Sequence, residues 1–248
     1  DGLKGSKLNT HIWDNIRKGV QELEMQTGKS FGMENGVTSP MVRSQQEAKH
    51  ILLLSVRAGA MVSMPGMMDS ILNLGINDEI AQAMARATNN PRWAYDTYRR
   101  FLQMFGNVVL GTNKQPYEDI LEAARKRRAV PHESLLPVAD LQEVVEKFKL
   151  LAAVPEDPWE QLRMAVEAVF RSWFSPLAVK YRDVHSIPGD LGTAVTVQSM
   201  VYGNQNVLSG SGVAFTRNPT TGDKELYGEY LTNAVVSLAP SICLFLCA

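Results

Sequence analysis

Cysteine is nearly missing from this sequence: there are 2, Cys243 and Cys247, both at the far end of the chain. The rest of the chain therefore offers neither a disulfide framework nor a cysteine metal site, which points to an intracellular, reducing compartment. A surplus of charge is missing as well. Lys and Arg number 25 against 26 Asp and Glu, and the formal net charge is −1. No global field attracts nucleic acid or an acidic membrane, so neither is expected as a partner, and any anion site has to be local. Long apolar runs are absent too. The apolar tail VVSLAPSICLFLCA has 14 residues, too few to span a bilayer unaided. It reads as a buried terminal strand, a membrane-surface anchor or a segment foreign to the fold. The histidines, His11, His50, His132 and His185, have no second ligand at metal spacing, and each reads as an ordinary surface or core residue. No GK[ST] triplet exists, which excludes a Walker A loop. The N-terminal DGLKGSKLNTHIWDNI lacks the apolar core of a secretory signal. It also lacks a starting methionine, so residue 1 is not expected to be where the gene begins.

What is present is a well-patterned globular chain. At 45% hydrophobic and 21% charged residues, wholesale disorder is excluded. Ile12, Ile16, Val20 and Leu23 recur at helical spacing, predicting a helix over 10–27 with Thr10 as its N-cap. Residues 28–46 are rich in Gly and Ser and read as a loop. Ile51–Val56 is a continuous apolar run of strand length, as in a strand covered on both faces. From Asp78 to about Arg171 the pattern is almost wholly helical, in segments 78–88, 91–110, 116–128, 137–151 and 158–174. These lie between strand-rich parts and suggest an inserted helical subdomain. After Pro188-Gly189 the rhythm changes. TAVTVQSMVYG, VAFTRNP and ELYGEYL, separated by turn residues, predict an antiparallel meander.

Two stretches carry possible chemistry. Arg57 follows the apolar run and precedes Ala-Gly-Ala, so its guanidinium is expected to project beyond the sheet edge, where it can grip phosphate oxygens bidentately. Gly59, Gly66 and Gly75 let backbone approach a ligand, and MMDSILNLG reads as a helix start whose N–H groups face an anion. The plainer reading has Arg57 paired with a local carboxylate and Met61, Met64, Met67 and Met68 filling a core. The second stretch, Gly210-Ser211-Gly212, reads as a flexible hairpin able to fold over a polyphosphate, or simply as a turn. Arg99 and Arg100 are adjacent on a helix, so at most one faces a site and the other is solvated or paired.

The run SVRAGAMVSMPGMMDSILNLGIND resembles the nucleotide-binding domain of the pyruvate, phosphate dikinase family, whose usual wording is close to SVRSGA, SMPGMMDT and LNLG. The resemblance continues through NPRWAYDTYRRFLQMFGNVV, VFRSWFSPLAVKYR, PGDLGTAVTVQSMVYGN and SGSGVAFTRNPTTGDKELYGEYLTNA, covering about residues 10–234. It implies an α+β, ATP-grasp-like fold with an inserted helical subdomain, incomplete at both ends. Its first part would cover 1–76, the helical insertion 77–175, an antiparallel β part with hinge strand and phosphate-covering loop 176–234, and a divergent tail 235–248. The implied reaction converts ATP, pyruvate and phosphate into AMP, phosphoenolpyruvate and diphosphate through a phosphohistidine on a separate domain, with ATP and Mg2+ as cofactors. By resemblance, Arg57 matches the arginine that binds the ATP phosphates and Arg100 a second one near the triphosphate. Gln198, Ser199, Met200 and Val201 match the hinge along the adenine, and Gly210 and Gly212 the loop over the phosphates.

Departures from the family wording matter equally. Its GGKGANL segment, its acidic magnesium-holding pair, and the glutamine and arginine of its last strand have no counterpart in the 248 residues. No catalytic residue and no metal ligand is therefore assigned. After Ala234 the tail leaves the pattern, which suggests an alternative exon, a read-through or a gene-model error. The resemblance implies partners in the phosphohistidine domain and, for the full-length parent, a homodimer formed through a C-terminal domain. The compartment can be cytosolic, plastid or another organelle. Two other functions stay open: a truncated, inactive nucleotide-binding or regulatory module, and a related phosphoenolpyruvate synthase-type dikinase.

Overall fold

A computed structural model describes residues 8–32, 50–234 and, for the backbone alone, Cys243–Leu246. Helices and small antiparallel sheets alternate along the chain, which is α+β. Two compact units result: Asp1–Met61 with Met67–Met200, and Val62–Gly66 with Val201–Ala248.

The first unit begins with α1 (Thr10–Thr27). Its N-cap is Asn9 rather than Thr10: the Asn9 carboxamide oxygen accepts from the His11 N–H at 2.8 Å. The Asn9 side chain, held in extended backbone, satisfies an otherwise orphaned amide. Gly28, at φ 65°, closes the helix in the left-handed conformation that glycine adopts without strain. Of the loop read over 28–46, residues 33–46 lie outside the described residues. Ser30 bridges to Ile51 in parallel, and Phe31 is buried.

Three strands follow the order β2-β1-β3: β1 (Leu54–Gly59), β2 (Ser70–Leu74) and β3 (Ala194–Ser199). Two expectations are corrected here. The strand runs over 54–59 rather than 51–56, which puts Arg57 inside the ladder, opposite Ser70 on one side and Thr196 on the other. MMDSILNLG is no helix start, since Ser70–Leu74 pairs with β1. The register slips between Leu54 and Val56, and Asn73 sits there at φ 62°. That bulge breaks the two-residue alternation and made the segment read as helical.

The helices are α2 (Asp78–Thr88), α3 (Pro91–Met104), α4 (Gln115–Arg128), α5 (Val138–Leu151), α6 (Pro158–Ser172) and α7 (Pro176–His185). Asn77, Asn90, Asp157 and Ser175 cap α2, α3, α6 and α7, three of them followed by proline at the first turn. A π-turn, Phe105–Val109, extends α3. α6 lies on β1, β2 and β3, and α3 on β2. Leu54, Val56, Ile71 and Leu74 of the sheet and Leu162, Val166 and Val169 of α6 are all fully buried. Each contributes roughly 1.5–3 kcal/mol. α6 and α3 thus share a core with the first sheet. Gln161 ties the two together: its amide donates to the carbonyls of Ile76 and Pro155, and its oxygen accepts from the Gly75 N–H.

In the second unit, β4 (Gly210–Phe215) lies between β5 (Tyr227–Thr232) and β6 (Cys243–Leu246). The three-strand meander is therefore corrected. β3 pairs with β1, far back in sequence, and only β4 and β5 form the sequential antiparallel pair. Strand composition shows extended backbone but not its partner, which long-range packing decides. Over 243–246 the tail backbone adopts the strand reading, paired with β4. The rest of 235–248 lies outside the described residues.

Candidate functional site

The alternation along β1 sorts its side chains onto two faces. Leu54 and Val56 point into the core under α6. Ser55 and Arg57 occupy the opposite face with their cross-strand neighbours Ser70, Thr196 and Gln198. Ser55 is buried there, whereas Ser70, Thr196 and Gln198 are exposed. Among the described strand residues this face carries one cation among polar groups and no carboxylate.

Arg57 is half-buried and forms no ion pair among the described residues, and its Nε is buried without an acceptor. The carboxylate-paired reading of Arg57 is thereby not what the structure shows. A guanidinium is a permanent cation whose fork of donors suits oxyanions, so Arg57 can serve an incoming anion.

The residues expected to form the hinge lie beside it. Gln198 faces Ser55, whose hydroxyl donates to the Gln198 carbonyl at 3.4 Å, and the Met200 N–H donates to the Leu53 carbonyl at 2.9 Å. Antiparallel bonding alternates along a strand. With the inward positions taken at Gln198 and Met200, the backbone N–H and C=O of Val197 and Ser199 point away from β1. No described strand covers that edge. Val201 opens the second unit.

Gly210 and Gly212 are strand residues, not members of a hairpin over a ligand, which corrects that expectation. They face Thr232 and Tyr230 across the β4–β5 ladder. A Cβ at Gly212 would stand 2.6 Å from the Glu229 carbonyl oxygen, and one at Gly210 3.1 Å from that of Leu231. Close strand approach is what these positions require. They belong to the second unit, Arg57 and Gln198 to the first.

Arg99 and Arg100 share one carboxylate. Arg99 donates to Asp96 Oδ1 through Nε and Nη2, at 3.0 and 2.7 Å, and Arg100 Nε donates to Oδ2 at 2.8 Å. Burial pushes the Asp96 carboxyl up, but the two arginines outweigh it and hold the group below its ordinary range. Arg100 lies on α3, which packs on β2, and no hydrogen bond joins it to Arg57 or the hinge among the described residues. Sequence reading missed Asp96, although its spacing of three and four residues ahead of Arg99 and Arg100 in DTYRR was a visible signal. It also missed Ser70 and Thr196, whose roles depend on register.

A cavity of about 530 Å³ is lined by Arg17, Phe31, Asn77, Asp78, Glu156 and Trp159 among others. None of the Arg57-face residues belongs to it. Its wall also includes Glu79 and Asp157, and so many carboxylates repel phosphate. No three His, Cys, Asp or Glu side chains among the described residues converge as a metal cage, and no described helix is long and apolar enough to cross a membrane.

The family model for the pyruvate phosphate dikinase AMP/ATP-binding domain matches residues 5–240, reaching past Ala234, where the family wording was expected to end. Pyruvate, phosphate dikinase of Clostridium symbiosum is 46% identical over 237 residues, covering 93% of this chain and 26% of that protein. The chloroplastic pyruvate, phosphate dikinase 1 of Arabidopsis thaliana is 45% identical over 238 residues, covering 94% and 23%. The Rhizobium meliloti pyruvate, phosphate dikinase is 43% identical over 237 residues, covering 93% and 25%. The chain thus spans about a quarter of the length of these relatives. By its match over nearly all its length, the chain belongs to the pyruvate phosphate dikinase AMP/ATP-binding domain family.

Proposed function

We propose that the polar face around Arg57 receives the phosphates of ATP, and that the open edge of β3 at Gln198–Val201 lies along the adenine. The observation carrying this reading is the Arg57 guanidinium, whose buried Nε has no acceptor beside a row of exposed polar side chains. An anion supplies what that group lacks. The outward N–H and C=O at Ser199 offer the donor and acceptor that an adenine edge needs. Arg100 contributes a second cation to the triphosphate, and Gly210 and Gly212 serve by admitting close backbone rather than by covering the ligand.

In this reading the chain is the ATP-binding portion of a dikinase, ATP-grasp-like in fold with 77–175 as its helical insertion. The phosphoryl group passes to a histidine on a phosphohistidine domain and then to pyruvate, giving AMP, phosphoenolpyruvate and diphosphate. The residues present fit the nucleotide. Among the described residues they form no cage for Mg2+. What these residues supply is orientation and charge neutralisation, which dominate phosphoryl transfer. The choice of phosphate over water as acceptor, against a phosphoenolpyruvate synthase-type reaction, rests on the SMPGMMD wording. Chloroplastic and bacterial relatives favour an intracellular setting, and a parent dimer would form through a further domain.

The test is calorimetric titration of the 248-residue chain with ATP. Binding is expected, with Arg57→Ala weakening it about tenfold or more, the loss that follows from removing a charged hydrogen-bond donor. Unchanged affinity in that variant would overturn the assignment. A second reading is a binding module that turns nothing over alone. AMP formed from ATP, phosphate and pyruvate by these 248 residues would exclude it.

A further inference from the structure

The α3 cluster of Asp96, Arg99 and Arg100 is built asymmetrically. Arg99 has a side chain only 3% exposed, and it engages Asp96 Oδ1 with two nitrogens while its Nη1 reaches the Gln103 amide oxygen at 3.4 Å. Oδ2 of the same carboxylate, 8% exposed, holds Arg100 by Nε alone. One negative charge faces two positive ones, so the cluster keeps an uncompensated positive charge. Arg99 cannot present it, being buried and fully engaged. Arg100 can: its side chain is 42% exposed, and its Nη1 and Nη2 make no hydrogen bond among the described residues.

Neutralising buried Arg99 needs only one oxygen of Asp96. The second oxygen does something further. An arginine on a helix surface samples many rotamers, and an anion that binds it must freeze them. Fixing Nε fixes the plane of the guanidinium, and with it the direction of the two terminal nitrogens. We propose that Asp96 is a positioning residue: anchored through Arg99 to the core, it holds Arg100 with its free Nη groups set to grip a nucleotide phosphate before that phosphate arrives. This rests on the reading that Arg100 lies at the triphosphate site. The arrangement is the general one in which a contact group is made precise by a buried partner behind it.

The experiment is ATP titration of the full chain by calorimetry, with Arg100→Ala, Arg100→Lys, Asp96→Asn and the double variant Asp96→Asn/Arg100→Ala, each checked for folding by its melting curve. Arg100→Lys keeps the charge but loses the Nε clamp, and as a change of a half-exposed side chain it leaves the fold standing. The expected result is about tenfold weaker ATP binding in Arg100→Lys, Arg100→Ala and Asp96→Asn alike. The double variant is expected to bind no more weakly than Arg100→Ala, because Asp96 acts through Arg100. Wild-type affinity in Arg100→Lys would overturn the proposal, as would an undiminished Asp96→Asn loss on the Arg100→Ala background. If Asp96→Asn fails to fold, Arg100→Lys decides alone. Arg100→Ala without effect, while Arg57→Ala abolishes binding, would overturn the positioning role and leave the nucleotide site standing. Arg57→Ala without effect would remove the site itself.

Discussion

Leaving a donor such as Arg57 Nε buried without an acceptor costs the free protein roughly 1–3 kcal/mol. An anion would complete it, and the exposed Ser70, Thr196 and Gln198 around it leave room for one. Asp96 shows the opposite economy of charge, one carboxylate serving two guanidiniums. Its carboxyl is held below its ordinary value of 3.8 by Arg99 and Arg100. A folded value below the unfolded one means that the carboxylate stabilises the protein above the unfolded value and stops doing so as the pH falls through the folded one. Thermal melts from about pH 6 down to about pH 2 should therefore show wild type losing stability faster than Asp96→Asn across the acid end of that range, with Asn the less stable at neutral pH. Parallel curves would mean that Asp96 carries no net charge interaction.

At the level of elements, the π-turn Phe105–Val109 exists to admit one side chain. Gly106 leaves the space in which the Tyr117 hydroxyl sits, and a Cβ there would clash with that oxygen and pack against Ala152. Tyr117 is fully buried, edge-on to Phe148 with ring centroids 4.8 Å apart. Gly106→Ala is expected to destabilise the first unit by about 1–3 kcal/mol, the usual range for overpacking, visible as a melting temperature lower by several degrees. An unchanged melt would show that the helix end absorbs the methyl group. Five helical segments, 78–88, 91–110, 116–128, 137–151 and 158–174, were legible because caps and prolines such as Asn90-Pro91 and Asp157-Pro158 mark their starts. Ser175-Pro176 carries the same signal, yet α7 was missed, its residues falling in the stretch 176–234 read as antiparallel β. The strands were less legible. β2 was hidden by its bulge at Asn73, and β3 was assigned to the wrong neighbours because pairing with β1 joins residues more than a hundred positions apart in sequence. Gly210 and Gly212 illustrate the same limit, since glycine marks close approach in a ladder as readily as a loop.

Across the whole molecule, the residues alone pointed to Arg57 as a candidate cation, and the family wording to Gln198–Val201 beside it as a candidate hinge. What they could not give was the face on which each side chain lies, because that depends on register. In the second unit Gly203, in a turn ahead of β4, packs against Ser211 of that strand, whose hydroxyl donates to the Ala234 carbonyl at 2.8 Å. If ATP is held on the Arg57 face of the first sheet, its binding leaves a footprint in amide hydrogen exchange measured with and without ATP in wild type and Arg57→Ala. Slowed exchange is expected in peptides covering β1 and residues 194–201 of wild type and none in the variant. Protection confined to α4 and α5, or equal protection in both proteins, would contradict it.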